Sequence, residues 1–254
     1  MARLMGTHVN TGPRNGFGQV ASAVPTVCLA VNDWSPLGEV DTSRTITIFR
    51  SQLWYVPNEF HDSPPGIDQP DFDVFEAANF YEARIRDYIS RHPADYYQLT
   101  NEIPASSNIR SIVNTLSFEL EMAHRLYPDG IRLAVGSPAH DSPMMPEWTE
   151  YFLPYLGAFT RYKAIYSRHT YGGIGTSYPW LTADTETKAM ERVREEIEHL
   201  SSNGIYIPMV LTECGTHAGI DRPPDWSIWM EDVKAYDRWL QSVASDNGYP
   251  NCGS

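Results

Sequence analysis

Cysteine is scarce in this chain: Cys28, Cys214 and Cys252 are the only three in 254 residues, and they lie far apart. An odd number at such spacing makes neither a disulfide framework nor a zinc-ligand pattern. Cys28 reads as a small core residue in a strand, and Cys214 as a packing residue rather than a nucleophile. Long apolar runs are also missing, and none approaches the roughly 20 residues that a membrane-spanning helix needs. Basic residues are few, with 19 Lys and Arg against 32 Asp and Glu and a formal net charge of −13. Phosphate binding rests on neutralisation by Lys and Arg, so this balance argues against nucleic acid or an anionic membrane as partner and favours an uncharged polymer. The opening Met1-Ala2-Arg3-Leu4-Met5 runs into a strand-like stretch with no apolar core before it, so no signal peptide is visible. The expectation is a cytoplasmic protein or one whose leader has been removed. No internal repeat and no linker interrupts the sequence, which predicts a single domain over 1–254.

What is present is ordinary globular composition, 42% hydrophobic and 20% charged. Short β-type runs alternate with longer helical patterns, which is the mark of successive βα units around a parallel sheet. Seven strands are expected: Leu4 to Val9, Thr26 to Asn32, Thr45 to Arg50, Tyr96 to Asn101, Ile131 to Gly136, Ala164 to Thr170 and Ile207 to Thr212. Helical periodicity is best in Asp71 to Ser90, Asn108 to Tyr127, Pro146 to Tyr162, Thr182 to Ser202 and Ser227 to Ala244. The early connections Gly16 to Ala23 and Pro36 to Thr42 can hold only a turn or two of helix. His92-Pro93, Pro128-Asp129-Gly130 and Asn203-Gly204 punctuate helix ends. Glu191, Glu195, Glu196 and Glu198, with Arg192 and Arg194, read as a solvated helix face. Pro57 to Pro70 is a turn-rich insertion after the third strand, where a barrel keeps a binding loop. The pattern and length predict an α/β fold, a (β/α)8 TIM barrel of about 250 residues. After Ala244 only a polar tail, Ser245 to Ser254, remains, so the eighth strand is expected to be irregular or missing.

Two strands of this set share a design. Tyr96-Tyr97-Gln98-Leu99-Thr100-Asn101-Glu102 and Ile207-Pro208-Met209-Val210-Leu211-Thr212-Glu213-Cys214-Gly215 each end on a glutamate, 213 − 102 = 111 positions apart. Parallel barrel strands converge on one mouth at their C-terminal ends, so the two carboxylates are expected to face one another there. A pair of carboxylates about 5 to 5.5 Å apart is what a retaining glycosidase uses, one group as proton donor and the other as nucleophile.

Leu99-Thr100-Asn101-Glu102 and Leu211-Thr212-Glu213-Cys214-Gly215 resemble the paired motifs of the clan A, or four/seven superfamily, of retaining glycoside hydrolases, over essentially Leu4 to Ala244. The resemblance implies cleavage of a β-glycosidic bond by double displacement, with no metal or organic cofactor, and the long loop after the third strand and the tryptophan distribution favour an oligo- or polysaccharide as substrate. It makes Glu102 the general acid/base, Glu213 the nucleophile, and Asn101 a hydrogen-bond partner of the sugar 2-hydroxyl.

Further candidates for the mouth follow from strand ends. His169 and Tyr171 are two apart on the sixth strand and project to one face. His8 and Asn10 end the first strand, Asn32 and Asp33 the second and Arg50 the third, and Arg50 could help keep Glu213 ionised. Five of seven tryptophans, Trp34, Trp54, Trp148, Trp180 and Trp226, follow strands, and aromatic rings stack on the apolar faces of sugars. Trp54, Trp180 and Trp226 are taken as substrate-binding. Two other readings stay open: a metal-dependent barrel hydrolase using His8, His140 and His169, and a carbohydrate-binding barrel without turnover.

Overall fold

The computed structural model describes residues 7–9, 27–50, 63–102, 108–138, 143–171, 181–182, 185–186, 188–215 and 242, with backbone only at 7–9, 170–171, 181–190 where described, and 213–215. Seven strands form one sheet: β1 (Thr7–Val9), β2 (Val27–Val31), β3 (Ile46–Arg50), β4 (Tyr96–Gln98), β5 (Leu133–Gly136), β6 (Ile165–Tyr171) and β9 (Met209–Gly215). Their order is sequential and every pairing is parallel. Strands β1 and β9, the two ends of the sheet, approach within 8 Å of one another, so the sheet curls into a nearly closed barrel. This is the expected α/β architecture of the (β/α)8 type, and all seven expected strands are in it. The polar tail, Ser245 to Ser254, where the eighth strand is expected to be irregular or missing, lies outside the described residues.

Both faces of the sheet are covered, which is why its strands read as near-continuous apolar runs. Alternation divides them. Val27, Leu29, Val31, Ile48, Ala134 and Ile165 fill the barrel interior. Cys28, Ala30, Phe49, Tyr97, Val135 and Tyr166 face the surrounding helices. Burial pushes the Cys28 thiol up to about 12, consistent with an inert packing residue.

Helix ends follow the sequence punctuation. Helix α1 (Val74–Arg91) is capped by Asp73, whose side chain accepts from the amides of Phe75 and Glu76. Helix α2 (Ile109–Leu126) is capped by Asn108, which accepts from Ser111 N. Gly130 and Gly204 take the left-handed conformation at φ 78° and 67°, as their positions after helices predict. The connection after β2 holds one 3-10 turn, Ser35–Gly38. The helix expected over Pro146 to Tyr162 is a composite: Met145–Glu147, a π-helical turn Trp148–Phe152, α3 (Leu153–Phe159) and a 3-10 turn Thr160–Tyr162. Among the described residues no helix is long and apolar enough to cross a membrane.

Two expectations need correction. Helix α4 (Lys188–Ser202) starts later than Thr182, because Leu181–Thr182 (β7) pairs antiparallel with Thr185–Glu186 (β8). Threonine favours the extended state, and it occupies one position in each half of that hairpin. The acidic face of α4 is not wholly solvated: Glu191, Glu195 and Glu198 are exposed, but Glu196 is buried. Trp148 and Trp34 are packing residues. Trp148 is buried and donates its indole N–H to the Tyr166 hydroxyl at 3.2 Å. Trp34 donates to the Pro93 carbonyl at 2.8 Å, in the segment that precedes β4 and so away from the strand C-termini. Of the helix expected over Ser227 to Ala244 only Ser242 is described, and it is helical.

Gly136, the last residue of β5, has φ 90°, and a Cβ there would sit 2.9 Å from the Tyr166 ring. Gly136→Ala should therefore cost about 2 to 4 kcal/mol in urea unfolding, from backbone strain and steric overlap together. Gly130→Ala, at φ 78° with nothing within 4 Å, should cost only about 1 kcal/mol. Equal losses at the two positions would contradict this packing.

Candidate active site

The C-terminal strand ends converge as the sequence predicts. Arg50 closes β3, Asn101 and Glu102 follow β4, Gly136 ends β5 and Ser137 follows it, His169 lies in β6 and Glu213 in β9. The backbone at this edge is unusual. Asn32 (φ 63°), Glu102 (φ 40°), Gly136 (φ 90°) and Ser137 (φ 36°) are all left-handed and all follow or end a strand. Such a conformation costs a non-glycine residue on the order of 1 kcal/mol or more and persists only where neighbouring contacts enforce it.

Those contacts are visible around Asn101 and Glu102. Arg50 donates to the Asn101 side-chain oxygen. Gln98, itself buried, donates its Nε2 to the same oxygen at 3.4 Å and to the Thr100 carbonyl at 3.1 Å. The Glu102 carboxyl is 43% exposed, and its Oε1 lies 3.5 Å from Nδ1 of the fully buried His169. In the β6–β9 ladder His169 stands level with Glu213. The register slips between Arg168 and His169, so that Glu213, not Thr212, takes that level. A one-residue slip of this kind re-aims a strand end and is common beside functional sites. Thr212 meanwhile shares a 2.6 Å hydrogen bond with Ser167, and the Ser167 hydroxyl reaches Gln98 Oε1 at 3.4 Å. Side chains of β4, β6 and β9 are thus linked across the barrel just below the mouth.

Two buried carboxyls support this rim from the helix side. Glu119 of α2 accepts from the Thr100 hydroxyl (2.6 Å) with one oxygen and from the Gly136 amide (2.9 Å) with the other. Burial pushes its acid up to about 7, against the opposing pull of those two hydrogen bonds. Glu196 of α4 pairs with the guanidinium of Arg168 at 3.2 Å and that of Arg192 at 2.7 Å. It also accepts from the Tyr166 hydroxyl at 3.0 Å. Burial, and then the Glu196 charge, hold the Tyr166 phenol well above its ordinary value. Arg168 in turn donates to the carbonyls of Pro138 and His169, at 3.1 and 2.9 Å, which ties the slip in β6 to the end of β5.

The structure therefore brings together Glu102, Asn101, Arg50, His169 and the backbone of Glu213, with Asn32 at the neighbouring strand end. His8 and Tyr171 lie in β1 and β6 by their backbones. Trp54, Trp180, Trp226, Asn10 and His140 fall outside the described residues. Among the described residues no group of three or more His, Cys, Asp or Glu gathers as a metal-ligand set. Sequence reading missed Glu119, Glu196, Gln98 and Arg168. The first two carried a signal: each is an acid on a helix's apolar stripe, Glu119 between Ile112, Thr115, Met122 and Leu126, and Glu196 between Val193 and Leu200.

No family model matches the chain, and no curated protein matches it. Among solved structures, the bacterial orthologue of human α-L-iduronidase aligns over 93% of this chain at 14% identity and TM-score 0.54. The chain spans 47% of that protein's length. A thermostable, halotolerant cellulase from an Icelandic hot spring isolate aligns over 92% of this chain and 74% of its own, at 13% identity and TM-score 0.44. A β-glucanase from Saccharophagus degradans aligns over 97% of this chain and 89% of its own, at 12% identity and TM-score 0.41. The likeness to the iduronidase orthologue is a likeness of fold.

Glu119 gives the fold a distinct pH response. Its folded pKa, about 7, exceeds the ordinary 4.5, so between these values the native chain holds a proton that the unfolded chain has released. The resulting stabilisation is complete below pH 4.5 and is lost as pH rises through about 7. Urea titrations of the wild type against Glu119→Gln should show the wild type losing about 3 kcal/mol relative to the variant between pH 4 and pH 8. A difference independent of pH would contradict the burial of this carboxyl.

Proposed function

We propose that the chain is a glycoside hydrolase, a single catalytic barrel domain that cleaves a β-glycosidic bond in an oligo- or polysaccharide with retention of configuration. The observation that carries this reading lies at the mouth: the Glu102 carboxyl is 3.5 Å from Nδ1 of the buried His169, and the backbone of Glu213 stands level with that histidine in the β6–β9 ladder. The fold shared with a protein described as an iduronidase orthologue supports it.

In this mechanism Glu213 attacks the anomeric carbon as the carboxylate, and Glu102, as the acid, protonates the departing glycosidic oxygen. The C1–O bond to the leaving group breaks as the ester to Glu213 forms. Glu102, now ionised, then takes a proton from water, whose oxygen attacks the same carbon and releases Glu213. The two groups need different environments. Glu102 is part exposed beside an imidazole that can orient its carboxyl, which suits a group that gives and takes a proton. Asn101, fixed by Arg50 and Gln98, is poised to meet the 2-hydroxyl, a contact that strengthens in the transition state. His8, Asn32, Arg50, Tyr171, Trp54, Trp180 and Trp226 complete the proposed sugar-binding surface, whereas His169, taken as substrate-binding from the sequence, is fully buried and backs Glu102 instead, and the long segment after β3 suits a cleft for a chain of sugars.

Glu213→Gln should lower kcat on the order of 10³-fold or more while sugar binding, followed by calorimetry, persists. Unchanged turnover would remove Glu213 from the chemistry. Glu102→Gln should spare aryl glycosides with good leaving groups in the first step, since these need no proton, and abolish cleavage of unactivated glycans. Proton NMR of the first-formed product should show the substrate's own anomeric configuration. Inversion would rule out the double displacement.

A further inference from the structure

The β4–β5 ladder stops at Gln98 opposite Ala134. Continued by two residues, the register would set Thr100 level with Gly136, yet both turn instead to one side chain, the Glu119 carboxyl of α2. Thr100 is two positions before Glu102, and Glu102 is left-handed at φ 40°. Gly136, at φ 90°, is followed by the left-handed Ser137. Both strand ends therefore depart from extended geometry at the point where their mutual ladder has ended. A strained backbone keeps its conformation only when its flanks are over-determined. On one flank, Asn101 is held by Arg50 and Gln98. On the other, Thr100 is held by Glu119.

Glu119 lies on the buried stripe of α2 with Ile112, Leu116, Met122 and Leu126, where leucine or methionine would fill the same space without the desolvation that a carboxyl suffers. Each carboxyl oxygen accepts from a different strand end. An apolar side chain could glue α2 to the sheet but could not make that bridge.

We propose that Glu119 is a positioning residue for the catalytic pair: its carboxyl takes over from the β4–β5 ladder where that ends and fixes the turn that sets Glu102 against His169. The inference rests on Glu102 being the acid/base. Glu119 acts without touching substrate, through Thr100 and the backbone to Glu102.

Three variants separate positioning from simple adhesion. Glu119→Leu keeps the volume and removes both hydrogen bonds. Glu119→Gln keeps the bridge, its amide oxygen accepting from Gly136 and its amide N–H donating to the Thr100 oxygen. Thr100→Val breaks the bridge from the strand side and leaves α2 intact. In folded protein, Glu119→Leu and Thr100→Val should lower kcat on the order of 10- to 100-fold, as a displaced catalytic group does, with KM within about threefold of wild type. Glu119→Gln should recover most of that loss. Hydrogen exchange at the amides of residues 99–102 should quicken in Glu119→Leu and not in Glu119→Gln. Wild-type kcat in folded Thr100→Val, or a Glu119→Gln as impaired as Glu119→Leu, would overturn the proposal, and should Glu119→Leu fail to fold, Thr100→Val decides it. If the wild type hydrolyses no glycoside, the acid/base reading of Glu102 fails instead. The exchange comparison then decides the positioning claim by itself, and unaltered exchange at 99–102 in Glu119→Leu or Thr100→Val overturns it.

Discussion

Where a parallel ladder ends, each strand loses the backbone partners that fixed it, and in this barrel Glu102 lies beyond such an end, whereas His169 and Glu213 are held within the β6–β9 ladder. Glu102 stands four residues past the last paired residue of β4, Gln98, and turns left-handed on the way. The fold answers this loss with side chains. Glu119 bridges β4 to β5, Gln98 and Ser167 link β4 to β6, Ser167 and Thr212 link β6 to β9, and Arg168 ties β6 back to the end of β5. Together they form a polar layer at the strand ends, with Gln98, Ser167 and Thr212 linking the strands below the mouth and Glu119 and Arg168 backing them from the helix side.

That layer is an expensive way to stabilise a protein. Desolvation of a buried charge costs several kcal/mol, and an ion pair recovers this only with good geometry and further hydrogen bonds. Glu196 has both, two guanidinium partners and the Tyr166 hydroxyl, which in turn accepts from Trp148. Glu119 has two neutral donors and, among the described residues, no cationic partner, and burial raises its acid. An apolar layer would serve a core equally well. What it would not supply is direction at the strand ends, and the slip that sets Glu213 level with His169 adjoins the residue, Arg168, that Glu196 holds.

The architecture was legible because its cause is periodic. Alternating β and α patterns placed all seven strands, and His92-Pro93, Gly130 and Gly204 marked helix ends through local backbone chemistry alone. The ordinal positions of Glu102 and Glu213 followed from counting those strands. The supporting layer was not legible, because it joins residues such as Thr100 and Glu119, or Arg168 and Glu196, whose nearness depends on how each helix docks. Glu196 was misjudged for that reason: its acidic neighbours Glu191, Glu195 and Glu198 do face solvent, and only docking of α4 turns the fourth acid inward. Trp148 shows the same limit, since a position after a strand does not reveal whether the next helix carries the ring into the core. The β7–β8 hairpin shows the limit of periodicity where four residues suffice for a different element.

The central claim, that the carboxylates at the ends of the fourth and seventh strands work as acid/base and nucleophile, makes a covalent commitment. Wild-type protein treated with a 2-deoxy-2-fluoro glycoside carrying a good leaving group should gain the mass of one fluorosugar. Peptide mapping should then locate that mass on Glu213, with Glu213→Gln unlabelled. A fluorosugar found on a different residue, or full turnover of the natural substrate by Glu213→Gln, would contradict the account.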